Sequence, residues 1–460
     1  MIPALILGYL GLQLVIAFIV SRTVKSEDDY LVAGRSRPAW LLALSLFATW
    51  FGAETCLGSS AAVFEEGLSG SRADPLGYGL CLMLGGLLIA ARIWNRKYST
   101  LADFYADRFG RAPEKLAVVI LCLSSLIWGA AQLRAFGQVI AATTPLPVQA
   151  AILVAFLFVA TYTLMSGLLG DMVIDVLQGA IVIGGLVLMI VLISLEVDLT
   201  GLLAAQPPER FSLLSPGETG WERIDRWMIP VMGSLVAQEI VARMLAAGSP
   251  RIARKACYAA AVIYFAVGSI PVILGLVGPL VFPYDGESEQ FLIALARDKL
   301  PTIAFVAFAG ALLSALLSTI DSILLGVGGL VAHNLVIPGF KITDERRKLF
   351  INRLLVLTAG VVCYLMAVRS TSIYDLLETA SSFGTAGILV ITLGGLWLRR
   401  GGAGTALATL IAGAVCTPLA EYVLELPAPF VASIGASAIV YFAGAFLFEK
   451  APREPTRAPS

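Results

Sequence analysis

The chain is 460 residues long, 58% of them hydrophobic and 14% charged, with a mean hydropathy of +0.86. Soluble domains run nearer half apolar and a quarter charged, so the soluble classes, nucleic-acid binders among them, are excluded in favour of an integral membrane protein. The 32 basic residues balance the 32 acidic ones, so only the placement of charge is informative.

A bilayer core of about 30 Å asks for about 20 mostly apolar residues per helix, and thirteen such stretches follow one another. They cover residues 2–21, 39–64, 75–94, 115–136, 147–166, 170–195, 227–247, 256–282, 302–332, 350–368, 372–398, 403–424 and 430–448. The expected fold class is an all-α integral membrane protein with about 13 transmembrane helices. The apolar runs do not alternate, which argues against a β-barrel. The longest loop is 196–226, which leaves no room for a soluble domain, and the polar tail 449–460 is expected to be disordered.

Lysines and arginines divide 24 against seven between the two sets of loops, Arg243 being counted with the richer set. That bias puts the amino terminus outside and the carboxyl terminus in the cytoplasm of a multi-pass plasma-membrane protein. Residues 2–21 carry no cleavage signature and are expected to stay as the first helix. The six cysteines fall inside spans and fit packing thiols better than disulfides. There is no phosphate-binding loop, no CxxC pair and one histidine, His333, which reads as a helix-end residue. No nucleophile–base constellation is visible either, so neither an enzyme nor an organic cofactor is expected.

An ionised side chain in hydrocarbon costs at least about 2.5–3.5 kcal/mol, so the charges inside spans carry meaning: Glu54, Arg134, Asp175, Glu239 and Asp321. Glu239 stands four residues before Arg243 and reads as its helix-end partner. Span two is filled in its middle by small and polar residues, Ala48-Thr49-Trp50-Phe51-Gly52-Ala53-Glu54-Thr55. Span seven carries Pro230 and Gly233-Ser234. Two weakened helices five spans apart point to an inverted-repeat transporter with its site at mid-membrane; ordinary packing glycines and prolines would leave the same mark. In span nine, Ser318, Asp321 and Ser322 share one helix face beside Thr319, and such hard oxygen donors suit a small hard cation.

Several motifs then occur in order along nearly the whole chain. They are Asp29-Tyr30-Leu31-Val32-Ala33-Gly34-Arg35-Ser36, Asp103-Phe104 with Arg108-Phe109-Gly110, Thr161-Tyr162-Thr163 with Ser166-Gly167, Asp175-Val176-Leu177-Gln178, and Ser318-Thr319-Ile320-Asp321-Ser322. Together on a thirteen-span plan they resemble the sodium/solute symporter family, whose members carry proline, sugars, sialic acid, pantothenate or small carboxylates. The resemblance implies a leucine-transporter-like five-plus-five inverted repeat. Residues 1–38 would form the first helix and the cytoplasmic loop after it. The core would be 39–398, with repeats 39–195 and 227–398, followed by two further helices in 399–448.

By the same resemblance, sodium is the coupling ion. It would be held by the carbonyls of Ala48, Phe51 and Ala315 and the hydroxyls of Ser318 and Thr319. A second sodium site, present in only some members, would use Asp175, Ser318, Asp321 and Ser322. The solute would lie among Thr49, Trp50, Gly52, Thr55, Tyr78, Arg134 and Glu378. Arg134 stands at a level where sialic-acid carriers of the family bind a carboxylate, so a carboxylate-bearing solute is one expectation; a structural pair with Glu54 or a snorkelling arginine is the other. The partners implied are a small-molecule solute and the lipid bilayer. A sodium symporter is thus the leading expectation, with a proton-coupled carrier of the same fold (Asp175 or Asp321 titrating) or a transporter-like solute sensor as alternatives.

Overall fold

The computed structural model describes residues 26–52, 54–370, 384–398 and 400–448, together with residues 8, 11–16, 18, 19, 22, 376 and 380. Most of span one, Glu378 and the tail 449–460 therefore lie outside the described residues. Regular structure in the remainder is helical, apart from one isolated bridge between Arg37 and Ala247.

A short helix, α1 (Glu27–Val32), starts at a capping box in which Ser26 accepts from the Asp29 amide and Asp29 accepts from the Ser26 amide. Helix α2 (Ala39–Trp50) stops within span two, and the chain continues into α3 (Ser59–Glu66). The turn over residues 67–77 begins at Gly67, φ +76°, and leads to α4 (Tyr78–Leu84). A short helix α5 (Leu101–Phe109) precedes the long α6 (Arg111–Thr143). Spans five and six appear as one helical stretch, α7 (Val148–Glu196), bent where Gly167 adopts φ +59°, ψ 177°. An added Cβ there would also come within 2.8 Å of Tyr30, so both backbone and space require glycine.

Span seven is likewise two pieces, α8 (Gly220–Met228), whose helical path runs on through Pro230 to Gly233, and α9 (Gln238–Ala246), with a 42° bend across the break at 234–237. Helices α10 (Pro250–Val281), α11 (Thr302–Leu330), α12 (Glu345–Arg369), α13 (Thr385–Trp397), α14 (Ala403–Pro418) and α15 (Pro429–Ala443) follow. Among the described residues, eight helices are long and apolar enough to cross a membrane, nine if the bent pair is one span. The expected thirteen are not recovered as thirteen rods. The breaks at Phe51–Gly52 and Gly167 and the undescribed residues in spans one and eleven divide or merge the stretches.

Helix α11 is the most buried of these spans and packs against α7, α6, α12 and α2, so it forms the axis of the bundle. The most peripheral spans, α12 and α15, expose Phe350, Leu354, Ile439 and Phe442, apolar surface that suits acyl chains. One charge departs from its expected place. Arg243, counted above with the cytoplasmic loops, lies inside α9 and is only 1% exposed.

Candidate functional site

The backbone leaves the helix at Phe51 (φ −80°, ψ 74°). The Gly52 amide donates to Trp50 O instead of continuing the i→i−4 ladder back to Ala48 O. Carbonyls freed in this way at membrane depth need a partner in the protein or an ion. Helix α11 supplies one. The Thr319 hydroxyl reaches Thr49 O (2.9 Å) and Ala315 O (3.1 Å), so one side chain bridges the break of α2 and the ridge of α11. Close approach depends on Gly52: an added Cβ would stand 2.8 Å from Gln132 Oε1 and 3.0 Å from Thr319 Oγ1.

Beside this bridge lies a buried charge cluster. Asp175 of α7 accepts from Ser318, from Ser45 of α2 and from Arg243 Nη2 (2.9 Å). The Arg243 guanidinium also donates to Asp171 Oδ2 (2.6 Å), Ser322 Oγ (2.7 Å), Ser45 Oγ (2.7 Å) and the Glu239 carbonyl (3.1 Å). Ser322 in turn lies 3.4 Å from Thr49 Oγ1. Of the residues assigned above to a second sodium site, Asp175, Ser318 and Ser322 thus gather around a positive charge that belongs to the chain. The fourth, Asp321, is fully buried, with Thr163 and Asp171 as its polar neighbours. Among the described residues, no group of three or more His, Cys, Asp or Glu is arranged to hold a metal.

The expected pairing of Glu239 with Arg243 takes a different form. The guanidinium bonds the Glu239 backbone carbonyl, while the Glu239 carboxylate turns toward α6 and accepts from Ser125 (3.0 Å). It is 1% exposed, and its Oε2 has no partner. This carboxylate lines a cavity between the two broken helices, together with Trp50, Tyr78, Trp128, Ser125 and Ser234. The Trp50 ring stacks on Tyr78 with centroids 5.8 Å apart and leans on Trp128 at 4.8 Å.

Of the expected solute residues, Trp50 and Tyr78 line this cavity. Thr49 instead faces the charge cluster, bonding Ser45 O (2.8 Å). Gly52 serves the close approach already described. Thr55 donates to the buried Asp74 (2.7 Å), which also receives the Tyr264 hydroxyl (3.0 Å). Arg134 is not part of the cavity wall; its Nη1 donates to Ala367 O of α12 at 3.2 Å. Glu378 is outside the described residues.

Sequence reasoning passed over Trp128, Ser125, Asp171 and Asp74, and read Arg243 as a loop-side charge paired with Glu239. A carboxylate one turn from Asp175 was a signal that could have found Asp171. Trp128, in mid-span rather than at an interface, was another.

At one end of the bundle, His333 lies 3.0 Å from Glu27 of α1 and 3.3 Å from Asp103 of α5. Asp103 also accepts from Asn334 (2.8 Å) and from the amides of Ser99 and Thr100. Burial alone would raise the Asp103 carboxyl, but the neighbouring imidazole and these amides hold it below its ordinary range.

The chain is similar to known proteins. A High-affinity choline transporter 1 of Drosophila melanogaster is 25% identical over 371 residues, covering 77% of this chain and 59% of its own. The chain therefore spans less than two thirds of that relative's length. The Sodium/proline symporter of Escherichia coli (strain K12) is 25% identical over 438 residues, covering 88% of this chain and 85% of its own. A solved structure of a Na+-coupled sialic acid symporter, in a substrate-bound outward-open state, superposes with a TM-score of 0.87 over 98% of both chains at 18% identity, which shows a shared fold. The model of the sodium:solute symporter family matches residues 30–413. With a match that takes in both broken helices, the charge cluster and the cavity, the chain belongs to the sodium:solute symporter family.

Proposed function

We propose that this chain is a sodium-coupled symporter that imports a small organic solute by alternating access. The observation that carries the reading is the Thr319 bridge, which ties the broken end of α2 to the central helix α11. A hydroxyl has one proton to donate and two lone pairs to offer. Thr319 and Ser318 can therefore keep their hydrogen bonds and still present oxygen to a sodium ion beside the carbonyls of Ala48, Phe51 and Ala315. Asp175 orients the Ser318 hydroxyl and contributes negative charge next to that position. A cation shared by two elements favours whichever conformation holds them together, which is population shift by differential affinity.

The reading takes one sodium per solute, because the charge a second ion would bring to Asp175, Ser318 and Ser322 is already supplied by Arg243. One charge crossing about 100 mV yields about 2.3 kcal/mol. A tenfold sodium gradient adds about 1.4 kcal/mol, enough together for accumulation on the order of several-hundred-fold. Residues 39–195 and 227–398 are the two repeats in this reading, with the amino terminus outside and the carboxyl terminus in the cytoplasm.

The carboxylate expectation rested on Arg134, and the cavity wall lends it no support. Choline and proline, the solutes named for two of the relatives, have a positively charged nitrogen in common. The test is uptake into proteoliposomes of labelled choline, ethanolamine, proline and small carboxylates, each with and without an inward sodium gradient. At least one should accumulate only with sodium. Accumulation driven equally by a proton gradient without sodium would overturn the reading.

A further inference from the structure

The cavity between the broken helices has a definite chemical character. Among the described residues, Glu239 is the only ionisable side chain in its wall apart from the Tyr78 phenol. It is buried, so its field is poorly screened and favours a cation. Trp50, Tyr78 and Trp128, packed ring against ring, line the same cavity. Aromatic faces attract positive nitrogen, indole most strongly. Both features recognise an ammonium, but they distinguish between kinds of ammonium.

The Glu239 carboxylate receives one hydrogen bond, from Ser125 to Oε1, and none to Oε2. A quaternary nitrogen has no proton to give and would leave that oxygen buried and unsatisfied. A nitrogen bearing N–H groups would satisfy it with a charge-assisted bond. The indole Nε1–H groups of Trp50 and Trp128 are buried and also without acceptors. They leave the wall with two spare donors, which match an acceptor elsewhere on the same small molecule.

We propose that the solute is a protonated amine that keeps at least one N–H, held with its nitrogen on Glu239 among the indoles and carrying an oxygen acceptor at its other end. This rests on the transport reading above and specifies the site's ligand class. It separates the chain from carriers that recognise a fully methylated nitrogen by aromatic faces alone.

The test is a methylation series on the purified full chain, read by quenching of tryptophan fluorescence: ethanolamine, its N-methyl and N,N-dimethyl forms, and choline. Amines that keep N–H should bind better than choline by about tenfold or more, the discrimination expected when a site built to accept a hydrogen bond meets a ligand without one. Glu239→Gln should lose about tenfold for the N–H amines and much less for choline. Equal or tighter binding of choline by the wild-type protein would overturn the proposal, and so would a Glu239→Gln protein whose preference for N–H amines over choline is undiminished. The series needs only the wild-type chain, so a poorly folding variant does not rescue the idea. Thermal unfolding with and without sodium, run in parallel, separates the two readings. Amine selectivity without any sodium effect would sink the coupling reading and leave the ligand class standing.

Discussion

Arg243 and Glu239 stand one turn apart on α9, both buried, and their surroundings could hardly differ more. Every donor group of the guanidinium has an acceptor: two carboxylates, two serine hydroxyls and a carbonyl. The carboxylate of Glu239 has one serine and an oxygen with nothing on it. A saturated buried charge fixes packing, because removing it strands its partners. An unsaturated one beside aromatic faces and spare indole donors is poised for a ligand. Burial of charge alone therefore does not mark a binding site in this bundle; the ligand reading of Glu239 rests on an unspent oxygen in the wall of a cavity.

The largest expected effect breaks the saturated side. Arg243→Ala would leave Asp171 and Asp175 buried without their counter-charge, a loss of about 3–5 kcal/mol that thermal unfolding in detergent should register. Asp175→Asn in the same background should recover part of it; a stability near wild type for Arg243→Ala alone would show the cluster to be hydrated rather than dry. On the unsaturated side, Trp128→Leu keeps apolar bulk and removes the aromatic face. Solute affinity should fall by about thirtyfold, corresponding to about 2 kcal/mol for a desolvated cation–π contact, while sodium binding stays within a small factor.

A smaller effect concerns the contact of α5 with His333. The folded-state carboxyl of Asp103 is held below its ordinary range. Its contribution is thus present above the unfolded carboxylate pKa and is lost as pH falls through the lower folded value. Asp103→Asn should unfold more readily than wild type at neutral pH, and the gap should close in acid. The smallest effect is expected at Arg134, whose guanidinium meets Ala367 O rather than the cavity. Solute affinity of Arg134→Ala should match wild type within error, and a large loss confined to carboxylate solutes would restore the carboxylate expectation.

How much of this was legible in the sequence follows the same division. Apolar runs locate most of the helices because burial in lipid is a local requirement, satisfied residue by residue. The break at Phe51 shows as a cluster of small and polar residues, and the ridge of Ser318, Thr319 and Ser322 as hydroxyls at helical spacing. Arg243 was misplaced because an arginine at a helix end before Arg251, Arg254 and Lys255 looks like one more cytoplasmic charge. Only the fold brings it to Asp171 and Asp175, 72 and 68 positions earlier. Glu239 was assigned to Arg243 by i+4 spacing, yet its carboxylate turns to Ser125, 114 residues away. Pairing across helices leaves no periodic trace along the chain, so partners and vacant acceptors alike become visible only in three dimensions.

The central claim is that sodium binds where the Thr319 hydroxyl joins the break of α2 to α11. Its most direct test is a sodium titration of solute uptake in proteoliposomes, wild type against Thr319→Ala. The wild-type curve should be hyperbolic, as for a single ion, and Thr319→Ala should need about tenfold more sodium or higher for half-maximal uptake, with solute affinity at saturating sodium nearly unchanged. Superimposable sodium curves for the two proteins would contradict the account.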